Sequence, residues 1–248
     1  MRIEWLDECV STNTQVTEYP LSEEGVIVAA RCQTGGRGQK GNSWEAQPGK
    51  NLTFSAMWKP RGIAAREQFS ISEAVALAVV DFLEDAGINA KVKWPNDIYV
   101  DDRKICGILI EHSVMGTEIS RTIAGVGINV NQREFLSGAP NPVSMASIAG
   151  TEFPTERLLE DFEMKLRRRL SQISGSEGRI MIHDEFQSRM WRFDGSAYPF
   201  RVRESGESYP GIVRGVEPMG FLHVENADTG ETCRYAFKEV EFLLSGGI

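Results

Sequence analysis

Apolar residues recur along this chain with two periods, one of about two residues and one of about 3.6 residues. Residues 26–31 and 52–58 are apolar runs of strand length, so they predict two β-strands. Between residues 67 and 86 the apolar side chains follow helical spacing, and Gly87 stands where a helix C-terminus is expected. The first third of the chain is therefore predicted to contain strands followed by a long helix.

The middle of the chain continues with both patterns. The segment PTERLLEDFEMKLRRRLSQI is amphipathic, and it predicts a helix with Thr155 as its N-cap. Another helix is predicted over residues 179–191. Further strands are predicted at 90–94, 97–100, 104–113 and 118–130, the last two joined through Met115, Gly116 and Thr117.

The pattern of apolar and turn-forming residues changes after Asp194 and Gly195. Four short alternating stretches separated by glycine and proline follow, with the sequences YPFRVRE, YPGIVRGV, GFLHVEN and TCRYAFKEV. They predict a small β-barrel or sandwich of about 50 residues. We therefore expect an α+β fold with a catalytic-type domain over 1–193 and a β-barrel domain over 194–248.

Composition narrows the class of protein. Lysine and arginine number 27 against 35 aspartate and glutamate residues, so the net charge is −8. An acidic chain is a poor candidate for non-specific nucleic-acid binding. The first residues lack a signal-peptide pattern, and the apolar run Ala74 to Leu83 is too short to span a bilayer. We expect a cytoplasmic protein that binds neither nucleic acid nor membrane.

The cysteines and histidines predict no metal site. Four cysteines lie far apart without a CxxC pair, and only three histidines accompany them. Reduced and mostly buried thiols are the favoured interpretation. The spacing gives no local signature of a Cys-His pair or of a Ser-His-Asp triad.

A glycine-rich segment, TGGRGQKGNSW, spans Thr34 to Trp44. Glycine lets backbone N–H groups approach a ligand closely, and successive N–H groups form concavities that bind anions. Arg37 can then form a forked pair with a phosphate or a carboxylate. The segment does not match a P-loop, because glycine rather than serine or threonine follows Lys40. The alternative is a solvent-exposed loop, and Trp44 is either a core residue or an aromatic that packs on a base.

The stretch KWPNDIYVDDRKICGILIE, from Lys93 to Glu111, predicts a β-hairpin with an acidic turn and a lysine at each mouth. Lys104 begins an apolar strand, and Gly107 leaves space beside it, which favours a functional amine. For Lys93 a solvated position at the sheet edge is the favoured interpretation.

Two further motifs contain small polar residues and glycines. In GVGINVN a glycine-containing strand indicates close approach of a ligand or second backbone, with a β-bulge as the alternative. In VSTN, from Val10 to Asn13, helix capping is favoured, and hydrogen bonding to an uncharged polar group is the alternative. Gln33 fits the same hydrogen-bonding use.

Taken in order, five motifs resemble those of biotin protein ligases: STN, then Q…GRG…G..W, then KWPND, then RKICGILIE, then GVGINVN. Each motif alone is weak, but the five in this order are specific and cover nearly the whole chain. The resemblance implies a catalytic domain related to that of class II aminoacyl-tRNA synthetases, followed by an SH3-like barrel. Because the first predicted strand begins within ten residues, it implies a monofunctional type without an N-terminal DNA-binding domain.

The resemblance also implies a two-step ligase reaction. The carboxylate of biotin attacks the α-phosphate of Mg-ATP to give biotinyl-5'-AMP, and a lysine of a biotin carboxyl carrier protein or domain then takes the biotinyl group. Arg37 and Lys104 are the candidate catalytic cations, and Asp97 is our hypothesis for the group that deprotonates the incoming amine. The implied biotin-binding residues are Ser11, Thr12, Asn13, Gln33, Arg37, Gly38, Gln39, Lys104 and Gly107. The implied ATP-binding residues are Arg37, Trp44, Asn96, Lys104 and Asn129.

One departure from the family pattern concerns Gln39, where members often carry a second arginine. A glutamine keeps hydrogen bonding but loses a charge that would help to retain the acyl-adenylate, although Lys40 stands beside it. Three rivals are weighed against the biotin ligase. They are a lipoate or octanoate ligase on the same fold, a non-catalytic biotin-sensing module, and a DNA-binding regulator. The oligomeric state is left open, with a homodimer among the alternatives.

Overall fold

The computed structural model describes residues 1–39, 42–136 and 141–244 as two β-sheets with helices packed between and beside them. The helices are α1 (Thr12–Gln15), α2 (Phe69–Asp85), α3 (Met145–Ala149), α4 (Thr155–Gln172) and α5 (Ser176–Ser188). The strands are β1 (Arg2–Cys9), β2 (Val26–Gln33), β3 (Leu52–Trp58), β4 (Lys91–Lys93), β5 (Asp97–Val100), β6 (Arg103–Met115), β7 (Glu118–Ile128), β8 (Tyr198–Val202), β9 (Ser208–Val216), β10 (Leu222–Asn226), β11 (Thr232–Tyr235) and β12 (Val240–Phe242).

The larger sheet has seven strands in the order β1-β2-β3-β7-β6-β5-β4. Only β1 and β2 pair in parallel, and all other neighbours are antiparallel. Strand β3 is buried along its whole length because the sheet continues on both sides of it and helices cover one face. The predicted hairpin is confirmed: β5 pairs with β6, and Asp101 adopts a left-handed conformation in the turn.

Helices α2, α4 and α5 form a layer that a buried arginine holds together. Arg169 of α4 donates to both carboxylate oxygens of Asp81 on α2 (2.7 Å each) and to both oxygens of Glu185 on α5 (2.6 and 2.7 Å). Burial opposes the charge of Arg169, but the hydrogen bonds to these two carboxylates outweigh it and raise the pKa of the guanidinium. A bidentate pair of this kind gives geometric specificity as well as energy.

The second sheet is antiparallel, with five strands in the order β11-β10-β9-β8-β12. This confirms the α+β fold with a small all-β unit after the helices. The boundary at residues 193 and 194 stays a prediction, and the buried apolar residues of the two sheets form one continuous cluster. Hydrogen bonds also cross between them, since Trp94 Nε1 donates to the carbonyl of Gly220 (3.0 Å).

Two predicted helix starts differ from the observed ones. Thr155 is the first residue of α4 rather than its N-cap, so that prediction is wrong; Pro154 takes the N-cap position. Proline suits this end of a helix because it has no N–H to leave unpaired. Helix α5 begins at Ser176 and ends at Ser188, about three residues before the predicted bounds, because Gly175 provides the extended residue that precedes it.

Within the described ranges, none of the helices combines the length and apolar character needed to cross a lipid bilayer.

A buried acid–histidine pair connects α2 to α5. Glu73 is 2% exposed, and Nδ1 of His183 lies 2.6 Å from its Oε1. Burial raises the pKa of the Glu73 carboxyl, although the hydrogen bond to His183 acts in the opposite direction. The hydrogen bond to Glu73 raises the pKa of His183 above its ordinary value of 6.5. Both groups therefore hold a proton more tightly in the folded protein than in the unfolded chain.

We expect the stability lost in a His183→Gln variant to depend on pH. A raised pKa contributes stability that is complete below the unfolded value and disappears as pH rises through the folded value. The loss of unfolding free energy should therefore be larger near pH 6 than near pH 9. Urea unfolding at several pH values measures it. His112→Gln is the control with the opposite slope, because burial lowers the pKa of His112. A loss for His183→Gln that stays constant or grows toward high pH would contradict the assignment.

Candidate active site

A cleft of about 1150 Å³ lies over the larger sheet, between the glycine-rich loop and the second sheet. Its floor comes from β6 and β7, and its far wall includes residues 237–244 of the C-terminal segment. All the site residues expected from the sequence line it: Ser11, Thr12, Asn13, Gln33, Arg37, Gly38, Gln39, Trp44, Asn96, Asp97, Lys104, Gly107 and Asn129. The structure thus brings together residues that are up to 118 positions apart in the chain (Ser11 to Asn129).

A chain of hydrogen bonds fixes the polar residues at one end of the cleft. Oε1 of Gln33 accepts from the backbone N–H of Thr12 (2.8 Å) and lies 3.2 Å from its hydroxyl. The fully buried hydroxyl of Ser55 donates to Oδ1 of Asn13 (2.5 Å) and lies 2.8 Å from Oγ1 of Thr12. Ser11 occupies the N-cap position of α1 and makes no side-chain capping bond within the described residues. This end therefore presents fixed, uncharged donors and acceptors.

Glycine in β7 allows Asn13 to lie flat against the sheet. A Cβ atom at Gly125 would stand 2.0 Å from Oδ1 of Asn13. The regular β6–β7 register continues across Gly125 and Gly127, and its one shift lies at Ser113 and Val114. The β-bulge alternative for GVGINVN is therefore wrong at the glycines. The side chains of Asn13 and Trp44 are the groups that approach this strand closely.

The amide of Asn13 is also bound from its other side. Its Nδ2 donates to Oε2 of Glu111 (2.8 Å), and Nη2 of Arg37 donates to Oε1 of the same carboxylate (2.7 Å). Glu111 thus connects the polar end of the cleft to the cation of the glycine-rich loop. No role was expected for Glu111, because neither its strand position nor its spacing distinguished it from a structural residue.

The glycine-rich loop folds back on itself as a small hairpin. Arg37 and Ser43 form an isolated antiparallel bridge, and the N–H of Trp44 donates to the carbonyl of Gly36 (3.0 Å). Arg37 is held at the edge of the cleft in this way. Lys40, which was expected to offset the missing arginine at Gln39, lies outside the described residues.

The second candidate cation is anchored through both its backbone and its side chain. The N–H of Lys104 donates to the carbonyl of Asn141 (2.9 Å), and its carbonyl accepts from Val143 (2.9 Å). Its Nζ lies 2.6 Å from Oδ1 of Asp97 on the facing strand and 5.8 Å from the centre of the Trp44 ring. Lys104 is therefore already paired with the carboxylate that was expected to act as a base.

The indole of Trp44 covers the glycines of the floor. A Cβ atom at Gly107 would stand 2.9 Å from Cζ3 of Trp44, and one at Gly127 would stand 2.4 Å from its Cε2. The space beside Gly107, expected to be open, is thus filled by an aromatic ring. Nε1 of this indole is buried and has no hydrogen-bond partner in the described part of the chain.

Two asparagines also line the cleft, Asn96 and Asn129. The amide of Asn96 donates to the carbonyl of Ile108. Nδ2 of Asn129 donates to the carbonyl of Val143 (3.1 Å), which leaves its Oδ1 buried and unpaired among the described residues. An unpaired buried acceptor is costly unless another molecule donates to it. Asn129 is therefore suited to a ligand with an amino group.

Lys93 does not have the solvated edge position expected for it. Its Nζ donates to the hydroxyl of Tyr99 (3.1 Å) and lies within 6 Å of three ring centres, those of Tyr99, Trp191 and Phe242. Burial lowers the pKa of this amine, and Asp97 partly offsets the effect. The sequence interpretation is wrong because Trp191 and Phe242 come from distant segments that cover the hairpin.

The arrangement is suited to a ligand with two anionic groups. Arg37 and Lys104 line the cleft from different elements, together with the neutral hydrogen-bonding groups around Asn13 and the two asparagines Asn96 and Asn129. Preorganised cations of this kind stabilise negative charge that accumulates in a transition state. Neither sequence spacing nor composition indicated that each cation would already face a carboxylate.

A comparison with protein families matches residues 7–129 to the Biotin/lipoate A/B protein ligase family. A curated relative described as bifunctional ligase/repressor BirA of Bacillus subtilis is 36% identical over 129 residues, which cover 50% of this chain and 39% of the relative. A biotin–[acetyl-CoA-carboxylase] ligase of Paracoccus denitrificans is 28% identical over 226 residues, covering 86% of this chain and 89% of the relative. The chain thus spans well under half the length of the first of these relatives.

Solved structures share the whole fold. The biotin protein ligase of Aquifex aeolicus in complex with biotin and ATP superposes with a TM-score of 0.79. The superposition covers 98% of this chain and 99% of that one, at 24% sequence identity. At this identity the likeness establishes the architecture, including the small β unit after the helices.

Proposed function

We propose that the chain, whose residues 7–129 match the Biotin/lipoate A/B protein ligase family, is an ATP-dependent biotin protein ligase. It forms biotinyl-5'-AMP from biotin and ATP and transfers the biotinyl group to one lysine of a biotin carboxyl carrier protein or domain. The observation that carries the proposal is the convergence of Arg37 and Lys104 on one cleft with a fixed polar pocket at one end.

The first step requires two anions to approach each other. Lys104 lies beside the turn of the β5–β6 hairpin and lines the cleft, where its ammonium can contact both the biotin carboxylate and the α-phosphate. Arg37 neutralises charge from the side of the loop. As the carboxylate oxygen bonds to phosphorus and pyrophosphate leaves, charge grows on the phosphoryl oxygens, which these cations stabilise. Gln33, Thr12 and Asn13 hold the uncharged ring system and supply positioning.

The second step requires an uncharged amine. The nitrogen of the carrier lysine attacks the acyl carbon of biotinyl-AMP, the C–O bond to AMP breaks, and the amine loses a proton. We keep Asp97 as the candidate acceptor of that proton. Its bond to Lys104 means that this role requires the ammonium to turn toward the phosphate first. In this scheme Lys104 acts in the first step and Asp97, its ion-pair partner, acts in the second.

ATP brings Mg²⁺ into the cleft. Within the described residues, no group of three or more His, Cys, Asp or Glu side chains is placed to hold a metal ion. Mg²⁺ commonly keeps several waters and binds substrate phosphates with one or two carboxylates, so the cleft fits an ion delivered with the nucleotide. Asn129 and Trp44 would then lie along the adenosine.

The direct test is a biotinylation assay with a purified carrier domain and ATP labelled at the α-phosphate. We expect biotin-dependent formation of labelled biotinyl-AMP, followed by acylation of a single carrier lysine found by mass spectrometry. Lipoate and octanoate in place of biotin are the matched controls. Acylation by lipoate alone would favour the lipoate ligase, and biotin binding without pyrophosphate release would favour the sensing module.

Gln39 provides a prediction about the intermediate. It lines the cleft beside Asn96, where members of the family often carry an arginine. We expect Gln39→Arg to slow the release of biotinyl-AMP about tenfold, because a charged hydrogen bond to a phosphate replaces a neutral one. A filter-binding chase measures the release rate. Gln68→Arg adds the same charge at an exposed site outside the cleft and should leave the rate unchanged. Faster release from Gln39→Arg would contradict the role of this position.

The setting of the reaction is also part of the proposal. A cytoplasmic location is supported by four free cysteine thiols, Cys9, Cys32, Cys106 and Cys233. The carrier domain is the proposed protein partner. A homodimer stays a prediction, which light scattering of the purified protein tests.

A further inference from the structure

Glu111 makes two bonds that join separate parts of the cleft. One carboxylate oxygen accepts from the amide of Asn13 on α1, and the other accepts from the guanidinium of Arg37 on the loop. Glu111 itself extends from β6 and is not among the described residues that line the cleft. Its contacts with groups that line the cleft are therefore those with Asn13 and Arg37.

The bond to Asn13 determines the orientation of that amide. Oδ1 accepts from the buried hydroxyl of Ser55, and Nδ2 donates to Glu111, so the two ends of the amide are distinguished. The side chain is 5% exposed and is packed against Gly125. It cannot rotate without breaking both bonds. Glu111 thus helps to fix which hydrogen-bonding atoms the polar pocket presents.

The bond to Arg37 determines the direction of the guanidinium. Arginine has five N–H donors in a planar fork, and Glu111 engages Nη2. Among the described residues Nε and Nη1 have no hydrogen-bond partner, so these donors can engage an anion in the cleft. Because the loop joins the floor of the cleft through this pair, Glu111 holds Arg37 in place while leaving part of its fork free.

We propose that Glu111 is a positioning residue that couples the polar pocket to the glycine-rich loop, so that it sets the orientation of Arg37 toward the phosphate. The inference rests on the proposed ligase function. It differs from a purely structural role because the effect of Glu111 on adenylate formation must pass through Arg37.

The Glu111→Gln variant separates the two bonds. Glutamine retains an oxygen that accepts from Asn13, but it removes the charge that holds Arg37. We expect biotin affinity, measured by titration calorimetry, to stay within about threefold of wild type, whereas kcat for adenylate formation falls about tenfold or more. In Glu111→Ala both bonds are lost, so biotin affinity should fall about tenfold as well.

A double-variant cycle provides the sharper measurement. If Glu111 acts through Arg37, Glu111→Gln should lower kcat by less than about twofold further in an Arg37→Ala background. Glu156→Gln is the matched control, because Glu156 pairs with Arg31 outside the cleft and its loss should change neither kcat nor biotin affinity. Thermal melting of each variant confirms that it is folded.

The outcomes distinguish this inference from the proposed function. A wild-type protein that forms no biotinyl-AMP overturns the proposed function, whatever the variants do. Where the wild type is active, two results overturn the role of Glu111. One is an unchanged kcat in Glu111→Gln. The other is a double variant in which Glu111→Gln lowers kcat by the same factor as it does in the wild-type background. A low kcat in Glu111→Gln that adds nothing to Arg37→Ala supports it.

Discussion

Lys104→Ala is expected to abolish the formation of biotinyl-AMP while most of the affinity for biotin remains. Lys104 is the cation held beside the turn of the β5–β6 hairpin by backbone bonds to Asn141 and Val143, with its side chain lining the cleft. Loss of a preorganised charge at the reacting phosphate lowers kcat by about a thousandfold. Biotin should still bind within about tenfold of wild type, because the polar pocket around Asn13 is untouched.

Pyrophosphate release and calorimetry provide the two measurements. Arg103→Ala is the control for a lost positive charge, since Arg103 precedes Lys104 but its side chain is exposed. That variant should turn over at close to the wild-type rate. Wild-type turnover in Lys104→Ala would remove Lys104 from the chemistry, and a complete loss of biotin binding would instead place it in the ring pocket.

Gly125→Ala should have the opposite effect, with biotin affinity lost first. The new Cβ would stand 2.0 Å from Oδ1 of Asn13, a side chain held by both Ser55 and Glu111. Either the Asn13 side chain must move and lose its hydrogen bonds, or β7 must shift away from it. We expect the Kd for biotin to rise about a hundredfold, as for the loss of two hydrogen bonds, one of them to a charged group.

Gly127→Ala is the matched comparison because it makes the same change two residues along the same strand. Its Cβ would meet the ring of Trp44 rather than Asn13, and Trp44 is half-buried and belongs to the glycine-rich loop. Biotin affinity should change by about threefold at most, and any larger effect should depend on ATP concentration. Equal losses of biotin affinity in the two variants would indicate general damage to β7 and not displacement of Asn13.

The larger elements of the fold follow from local pattern. Strand β3 and helix α2 were predicted within two residues, because an apolar run of strand length and an apolar run of helical spacing persist over their whole lengths. The β5–β6 hairpin was predicted because two apolar runs flank an acidic turn. The short α3 was not predicted, since five residues are too few to show a period.

Sequence motifs predicted which residues meet, but not how they are paired. Arg37 and Lys104 were expected in the same cleft and lie there. Their bonds to Glu111 and Asp97 depend on the side-chain directions of different strands and loops, which local spacing does not encode. Ser55 was missed for the same reason, because a small polar residue in a buried strand has no distinctive pattern.

The misinterpretation of Lys93 has a related cause. A lysine beside proline at the end of a short strand is usually solvated, and nothing near it in the sequence indicates otherwise. The ring of Trp191 reaches it from the segment that follows α5, and the ring of Phe242 reaches it from β12 of the second sheet. Contacts between segments about 100 or more residues apart therefore decide its environment, and local periodicity carries no information about them.

The two carboxylates beside Arg37 and Lys104 have a consequence for competition among solutes. A cation that already has a partner gives little attraction to chloride or inorganic phosphate, since such an ion would only exchange one anionic partner for another. An anionic molecule binds more tightly than such an ion only if it also fills the neutral pocket around Asn13 or donates a hydrogen bond to Asn129. The Arg37–Glu111 and Lys104–Asp97 pairs therefore disfavour binding of abundant small anions, independently of the shape of the cleft.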